Sequence, residues 1–275
     1  LARKYRPQTF DDLLGQDIMV QTLKNAFKTN RIAHAYMLTG VRGVGKTTTA
    51  RLLARSLNYE TDIINEPNID MLELGKHCLE IMESRHIDVI EMDAASRTGI
   101  ADIREIIDSV NYSPASARYK IYIIDEVHML SKAAFNGLLK TLEEPPAHVK
   151  FIFATTEVQK IPLTILSRCQ RFDLKRFDND MIKLLIDKVC EEEKVIIEDS
   201  IISLIARVSG GSARDSLSLL DQAIALADDG NISEEKIRQM LGLSDQARII
   251  DLYLSLIHIS EPTRLLSISY SVLCV

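Results

Sequence analysis

One eight-residue stretch constrains the fold of this chain more than any other. "GVRGVGKT" (40–47) follows the apolar run "AHAYMLTG" (33–40) and precedes "TTTARLLARSLN" (47–58), where apolar residues recur at helical spacing. It fits the pattern G-x-x-x-x-G-K-[ST], whose glycines let backbone N–H groups turn toward phosphate oxygens at the start of a helix. The stretch therefore predicts a strand, a phosphate-binding loop and a helix in succession; the alternative is a chance glycine-rich turn.

A second signal is a pair of carboxylates at the end of a β-branched run. "KIYIIDE" (120–126) closes on Asp125 and Glu126. In phosphate-loop hydrolases such an Asp holds Mg²⁺, and a neighbouring Glu orients and deprotonates the attacking water. Lys46 is then expected to reach the β- and γ-phosphates, and Thr47 to ligate Mg²⁺ through its hydroxyl. The alternative is a solvated acidic pair at a strand end.

The order of the elements indicates an α/β fold. "HIDVIEMDA" (86–94) and "VKFIFATTE" (149–157) are further buried-strand patterns, and "SKAAFNGLLKTLEEPP" (131–146) is an amphipathic helix stopped by two prolines. Near-continuous apolar strands separated by helices favour a parallel sheet flanked by helices on both faces. After about residue 176 every segment has helical periodicity, with Gly, Asp, Asn and Ser at the breaks. We therefore expect a nucleotide-binding domain over 1–176 and a small all-helical lid domain over 177–243.

Composition excludes several functional classes. The 275 residues carry a formal charge of −6, so no global basic coat for nucleic acid or an anionic membrane is present. No apolar run approaches the ~20 residues of a membrane span, and there is no signal-peptide pattern. The cysteines, Cys78, Cys169, Cys190 and Cys274, have no paired spacing, which suits a reducing compartment. We expect a cytoplasmic protein without a membrane partner.

Seven segments together resemble one family. They are "YRPQTFDDLLGQ" (5–16), "GVRGVGKTTTARLLARSLN" (40–58), "DAASRTGIADIREI" (93–106), "YIIDEVHMLSKAAFNGLLKTLEEPP" (122–146), "FATTE" (153–157), "ILSRCQRFDL" (165–174) and "GGSARDSLSLLDQ" (210–222). They resemble the gamma/tau subunits of the bacterial DNA polymerase III clamp loader, which are AAA+ ATPases. The resemblance runs to about Leu252, and the tripeptide "SRC" separates clamp-loader ATPases from most other AAA+ proteins. It implies a P-loop AAA+ sheet followed by a helical lid, with ATP and Mg²⁺ as cofactors.

The resemblance also assigns roles to side chains outside the loop. Arg168 of "SRC" matches the arginine finger that reaches into the neighbouring subunit's ATP site; the alternative is an arginine paired with a nearby carboxylate or exposed to solvent. Thr156 matches the sensor of the γ-phosphate, with Thr155 as the other candidate. Arg214 matches the second sensor, which closes on ATP in cis; the alternative is a surface arginine beside Asp215.

The expected nucleotide-binding set combines the loop with the N-terminal segment. "ARKYRPQTF" (2–10) resembles the segment that packs near the adenine. The expected binding residues are Gly40, Val41, Arg42, Gly43, Val44, Gly45, Lys46, Thr47, Thr48, Tyr5, Arg6 and Pro7.

Two departures from the family are visible. Clamp loaders of this type usually carry a four-cysteine zinc module after the phosphate-loop helix, whereas residues 57–81 hold only Cys78. Because zinc needs about four N or S ligands, His77 and Cys78 are too few, and we predict no structural zinc.

The second departure is the C-terminal stretch. "SDQARIIDLY" (244–253) matches only the start of the family's third, collar domain. From "LSLIHISEPTR" (254–264) onward the string equals the translation of a transposon-end sequencing adapter. We therefore expect 254–275 to be a non-native tail; a natural divergent tail is the alternative, and the genomic locus sequenced without that adapter decides between them.

The function implied is clamp loading during DNA replication. ATP binding would order subunits that open a ring-shaped sliding clamp, and hydrolysis would release it on primer–template DNA. The expected partners are other clamp-loader subunits in a hetero-pentamer, copies of this chain, the clamp and DNA, with Arg97 of "ASRTG" (95–99) as a candidate DNA contact. Membership of a polymerase complex also suggests a nucleotidyltransferase classification. The alternatives are another AAA+ DNA motor, such as a branch-migration helicase, and a nucleotide-binding scaffold without turnover.

Overall fold

The computed structural model describes residues 1–71, 73–96, 99–226, 234–242 and 254–256. Arg97, the expected start of the collar domain and most of the expected tail lie outside these residues. Within the described part, no helix is both long enough and apolar enough to cross a bilayer.

A five-stranded parallel sheet forms the centre of the larger domain. The strands are β1 (Ala35–Thr39), β2 (Val89–Asp93), β3 (Lys120–Asp125), β4 (Val149–Thr155) and β5 (Gln170–Asp173), and their order across the sheet is β2-β3-β4-β1-β5. All pairings are parallel. The predicted fold class is thereby confirmed. The sequence pattern does not indicate β5, because this edge strand has four residues and only Phe172 of them is buried.

Among the described residues, ten named helices cover the sheet or form the second domain. They are α1 (Asp17–Lys28), α2 (Lys46–Leu57), α3 (Cys78–Met82), α4 (Ile100–Val110), α5 (Lys132–Glu143), α6 (Leu163–Leu166), α7 (Asn179–Glu193), α8 (Asp199–Val208), α9 (Ala213–Ala225) and α10 (Glu234–Met240). Helix α5 illustrates how sequence sets the bounds. The Ser131 hydroxyl accepts a hydrogen bond from Ala134 N at 3.2 Å, and Pro145 and Pro146 follow the last turn.

The central strands β1, β3 and β4 are buried on both faces, which explains their near-continuous apolar sequences. In β1, Tyr36 and Leu38 face the core shared with α1 and α2, whereas Ala35 and Met37 face the core shared with α4 and α5. A third core lies among α7, α8 and α9, and the N-terminal residues pack against it. The sheet thus places the C-terminal ends of β1, β3 and β4 side by side at one edge.

The two domains are joined by a connecting segment, residues 173–177, that lies against the root of the phosphate loop. Leu174 N donates to Thr39 O at 2.8 Å, continuing the β1–β5 ladder. A Cβ on Gly40, the first loop residue, would lie 3.0 Å from Leu174 O. Glycine at this position therefore lets the connecting segment approach the loop backbone.

The same segment is also held from its other sides. The buried Gln16 amide donates to Lys175 O and accepts from Lys175 N, both at 3.1 Å. On the lid side, a Cβ on Gly211 would lie 2.3 Å from Arg176 Cγ, and Gly211 has a φ of +83°. Close packing thus fixes the connecting segment between the two domains.

Candidate active site

The phosphate loop has the backbone that its glycines permit. Gly43 and Gly45 have φ values of +79° and +98°, and Gly45 immediately precedes α2. The Lys46 side chain is 6% exposed and donates to Gly40 O and Val41 O, each at 3.0 Å. Burial lowers the pKa of Lys46, and the nearby Glu126 and Asp125 carboxylates oppose that change. An ammonium group therefore lies directly over the loop.

The two expected Mg²⁺ ligands are in contact. Thr47 Oγ1 donates to Asp125 Oδ2 at 2.5 Å across the gap between α2 and β3. Burial raises the pKa of Asp125, and the hydrogen bonds from Thr47 and from Glu126 N counteract that rise. A hydroxyl and a carboxylate oxygen on adjoining elements are hard oxygen donors, which Mg²⁺ prefers, so the residues present fit this ion.

Glu126 follows Asp125 in a left-handed backbone conformation, with φ +46° and ψ +44°. Such strained non-glycine residues cluster at functional sites. Its Oε2 accepts from Thr156 N at 3.2 Å and from Thr156 Oγ1 at 3.1 Å. Thr155 is fully buried and lies against His128 instead, with Oγ1 3.0 Å from the ring Nδ1. The structure therefore brings Thr156 to the candidate base, while the sensor role itself stays a prediction.

The lid domain contacts the loop at Gly43. A Cβ on Gly43 would lie 1.9 Å from Ser212 Oγ, so only glycine allows this approach. Ser212 caps α9 by accepting from Asp215 N at 3.1 Å, and Arg214 N is 3.4 Å from Gly43 O, to which it donates. The first turn of α9, with the candidate second sensor Arg214, therefore begins on the phosphate loop.

The N-terminal segment bridges the lid and the loop region. Tyr5 donates its hydroxyl to Glu193 Oε1 at 2.9 Å, and its ring packs against the lid core. Burial lowers the pKa of the Arg6 guanidinium, and the Arg51 charge lowers it further. Pro7 is half-buried. Adenine contact by these residues stays a prediction.

Arg168 is not directed at the chain's own loop. Its Nη2 lies 2.6 Å from Glu143 Oε1, and its Nη1 donates to Thr164 O at 2.6 Å. Of the two interpretations given above, the paired arginine is the one seen in this chain by itself. The trans role stays a prediction, since it requires a neighbouring subunit.

The remaining expected loop residues differ in exposure. Val41 and Arg42 are exposed, Val44 is buried and Thr48 is half-buried. Two features of the site were not identified from sequence. One is Arg51 of α2, which makes a paired contact with Glu91 of β2 at 2.9 and 2.7 Å. The other is His128, whose only sequence signal is its position two residues after the acidic pair.

Buried residues of the segment 57–81 belong to the core shared with α1 and α2. Tyr59 is buried and donates its hydroxyl to Glu73 O at 3.0 Å, and Cys78 packs among apolar side chains. His86 Nε2 lies 2.9 Å from His77 Nδ1. Across the described residues, no three His, Cys, Asp or Glu side chains are grouped as a metal site. The absence of zinc stays a prediction.

Two family models match the chain. The family described as "DNA polymerase III, delta subunit" matches residues 15–178. The family described as "DNA polymerase III clamp loader subunit, ATPase lid domain" matches residues 181–229.

Full-length relatives agree with these models. The DNA polymerase III subunit tau of Salmonella typhimurium is 50% identical over 252 residues, which is 92% of this chain and 38% of the relative. The DNA polymerase III subunit gamma of Buchnera aphidicola subsp. Baizongia pistaciae is 44% identical over 94% of this chain and 68% of the relative. The chain thus spans about two fifths of the length of the tau relative.

Solved structures show the same fold. Thermotoga maritima RuvB, described as a Holliday junction branch migration motor, superposes with a TM-score of 0.61. The alignment covers 87% of this chain and 72% of RuvB at 20% identity, which establishes the fold alone. With the family models and the relatives, the resemblance read from the sequence is confirmed. The chain belongs to the clamp-loader family of DNA polymerase III subunits.

Proposed function

We propose that this chain binds and hydrolyses ATP as a clamp-loader subunit, which helps to open a sliding clamp and load it onto primed DNA. The observation that carries the proposal is the Thr47–Asp125 contact beside Lys46. This contact joins the phosphate loop to the end of β3, so that the residues proposed to bind phosphate and those proposed to bind Mg²⁺ are adjacent. Membership of the clamp-loader family supports clamp loading as the process that uses this hydrolysis.

The loop would bind the triphosphate through its backbone. The N–H groups at the start of α2 offer a positive helix end, and Lys46 would exchange its loop carbonyls for β- and γ-phosphate oxygens. Thr47 and Asp125 would hold Mg²⁺, which when bound neutralises charge on the phosphates. Tyr5, Arg6 and Pro7 would enclose the adenine.

Glu126 would position and deprotonate the attacking water. Its carboxylate lies one residue beyond the metal ligand and is held by Thr156. Arg214 would approach the γ-phosphate from the lid, because α9 already begins on Gly43. Closing of the lid would thereby depend on bound nucleotide.

Arg168 would act on a neighbouring subunit. A guanidinium placed against the γ-phosphate in trans is worth ~10³–10⁵ in rate. This makes hydrolysis depend on correct stacking of subunits, so we propose other clamp-loader subunits and copies of this chain as partners. The clamp and primer–template DNA would bind the assembly, and a cytoplasmic location follows from that role.

The proposed domains are 1–176 for nucleotide binding, 177–243 for the lid and 244–253 for the start of the collar, with 254–275 non-native. The family matches that end at 178 and begin at 181 support the first division. The expected nucleotidyltransferase classification is not supported for this subunit, because the matched families describe a clamp loader and an ATPase lid.

The experiment is ATP turnover per molecule as a function of protein concentration. An Arg168→Ala chain, which keeps its own ATP site, is mixed with the unaltered chain, and Arg171→Ala is the matched control. Arg171 is likewise an exposed arginine paired with a carboxylate, Asp173, at 2.7 Å. Turnover that rises with concentration and falls only with the Arg168 variant supports the proposal. Turnover that equals that of Lys46→Ala at every concentration favours the non-hydrolysing scaffold, and strand displacement on branched DNA favours the other motor.

A further inference from the structure

His128 lies at the centre of a set of contacts that the mechanism above does not use. It sits on the 3₁₀ turn Val127–Met129, which begins directly after Glu126. Its side chain is 6% exposed although the acidic groups around it reach solvent. The 3₁₀ turn therefore places a buried imidazole two residues from the candidate base.

The Nδ1 atom faces the ends of both β3 and β4, and the Nε2 atom faces Glu157 just after β4. Nδ1 lies 3.0 Å from Thr155 Oγ1 and 3.3 Å from Glu126 Oε2. Nε2 lies 3.3 Å from Glu157 Oε1. A carboxylate oxygen only accepts hydrogen bonds, so a ring nitrogen that donates to one must carry a proton; Nδ1 is the atom placed to donate to Glu126, and Nε2 the atom placed to donate to Glu157.

The threonine is itself fixed from the other side. Thr155 Oγ1 accepts from Glu157 N at 3.0 Å, which sets the turn after β4. The ring thus lies between the end of β3, which carries Glu126, and the end of β4, which carries Thr155 and Glu157. These two strands are neighbours in the sheet.

We propose that His128 is a positioning residue for hydrolysis, whose Nδ1 edge holds the Glu126 carboxylate in register with the β4 terminus. This inference rests on the proposed function, in which Glu126 activates water. All the contacts of the carboxylate described here, two from Thr156 and one from His128, fall on Oε2. They fix the orientation of a side chain that is itself 30% exposed.

A positioning residue matters because the reaction tolerates little displacement of the catalytic group. A displacement of about 1 Å of a catalytic group costs ~10²-fold in rate. Glu126 carries a flexible side chain on a strained backbone, and the contacts from Thr156 and His128 meet on its Oε2. Without His128 the carboxylate keeps its chemistry but loses one of the contacts that define its place, so kcat falls while substrate binding is retained.

Two substitutions separate positioning from space filling. In His128→Asn the amide nitrogen occupies the place of Nδ1, whereas in His128→Gln it occupies the place of Nε2. We expect His128→Gln to lower kcat by about 10- to 100-fold with the KM for ATP changed by less than about 3-fold. His128→Asn should keep kcat within about 5-fold of the unaltered chain. His148→Gln is the control, because His148 contacts Val110 O and precedes β4 at its opposite end.

A second measurement does not depend on turnover. The ring ¹⁵N signals of His128 are recorded by NMR in the unaltered chain and in Glu126→Gln, and the Nδ1 signal should move more than the Nε2 signal. Equal losses of kcat in the Asn and Gln variants, or an unmoved Nδ1 signal, overturn the positioning role. If the unaltered chain shows no turnover in any assembly, the proposed ATPase function fails, and the Nδ1 signal alone then decides whether His128 holds Glu126.

Discussion

Lys150 provides a direct test of the electrostatics of this fold, because it is a lysine inside the sheet. It is 3% exposed in β4, beside Ile121 of β3, and its Nζ lies 5.0 Å from the centre of the Tyr119 ring. Burial lowers its pKa from 10.5 to about 8. Burial therefore makes the charged form of Lys150 less favourable in the folded state than in the unfolded chain.

The size of the cost follows from the shift. A change from 10.5 to about 8 corresponds to about 3 kcal/mol, at ~1.4 kcal/mol per pKa unit. Since the folded pKa is the lower one, the unfolded chain binds more protons between pH 8 and 10.5, and stability rises with pH through that window. Below the folded pKa the full cost is present, and above the unfolded pKa it disappears.

Replacing Lys150 by Met removes the charge and keeps an unbranched side chain of similar length. The lost contact between the ammonium and the Tyr119 ring offsets ~0.5–1 kcal/mol. We expect Lys150→Met to raise the free energy of unfolding by about 2 kcal/mol at pH 7. At pH 10 the remaining electrostatic advantage is about 1 kcal/mol, so the net gain is close to zero.

The assay is urea unfolding, followed by circular dichroism at pH 7 and pH 10. Lys188→Met, at an exposed lysine of α7, is the control and should change stability by less than ~0.5 kcal/mol at either pH. A gain that is the same at both pH values refutes the electrostatic argument, because packing alone does not titrate. A loss of stability at pH 7 refutes it as well.

Three further predictions concern the loop, a buried carboxylate and the arginine pair. Gly43→Ala should lower the free energy of unfolding by ~1–3 kcal/mol more than Gly45→Ala, because both glycines have positive φ but only a Cβ on Gly43 meets Ser212; equal losses in urea unfolding contradict this. Burial raises the pKa of Asp88, but backbone hydrogen bonds from Ala115, Ser116 and Ala117 outweigh it and lower the pKa. Asp88→Asn should therefore lower the free energy of unfolding by ~1–3 kcal/mol at pH 7. The contribution of this carboxylate is present above the ordinary Asp pKa of ~3.9 and is lost as pH falls through the lower folded value, so the two chains should converge in acid; Asp62→Asn, with an exposed side chain, is the control. Glu143→Ala should lower the free energy of unfolding by less than ~1 kcal/mol, because the ion pair between Glu143 and Arg168 is solvent-exposed. A larger loss in urea unfolding indicates a structural role for the pair.

The fold was largely predictable because its signals are local. Each of β1, β3 and β4 is a near-continuous apolar run, and the phosphate loop fixes a strand before it and a helix after it. The short edge strand β5 has no such run. Its pairing with β1 depends on backbone contacts made in space, which neither apolar pattern nor propensity records.

The site was predictable only where a motif spans consecutive residues. Lys46, Thr47, Asp125 and Glu126 were assigned from their own neighbours in sequence. The contact of Arg168 with Glu143 joins residues 25 positions apart, on α5 and after α6, and its carboxylate cannot be identified from the residues beside the arginine. Likewise, His128 gains its partners because β3 and β4 end side by side, which is a property of the sheet order.

The packing of the connecting segment limits how this protein family can be recombined. Residues 173–177 touch the root of the phosphate loop, the Gln16 amide and Gly211 of the lid, with no room for a side chain at Gly40 or Gly211. A chimera that exchanges lids between relatives at residue 177 would separate the connecting segment from the Gly211 against which it packs. The transferable unit is the lid together with residues 173–177 and a matching Gln16 and Gly40. Lengthening the segment by one residue should therefore uncouple the proposed nucleotide site from the lid even when both domains fold.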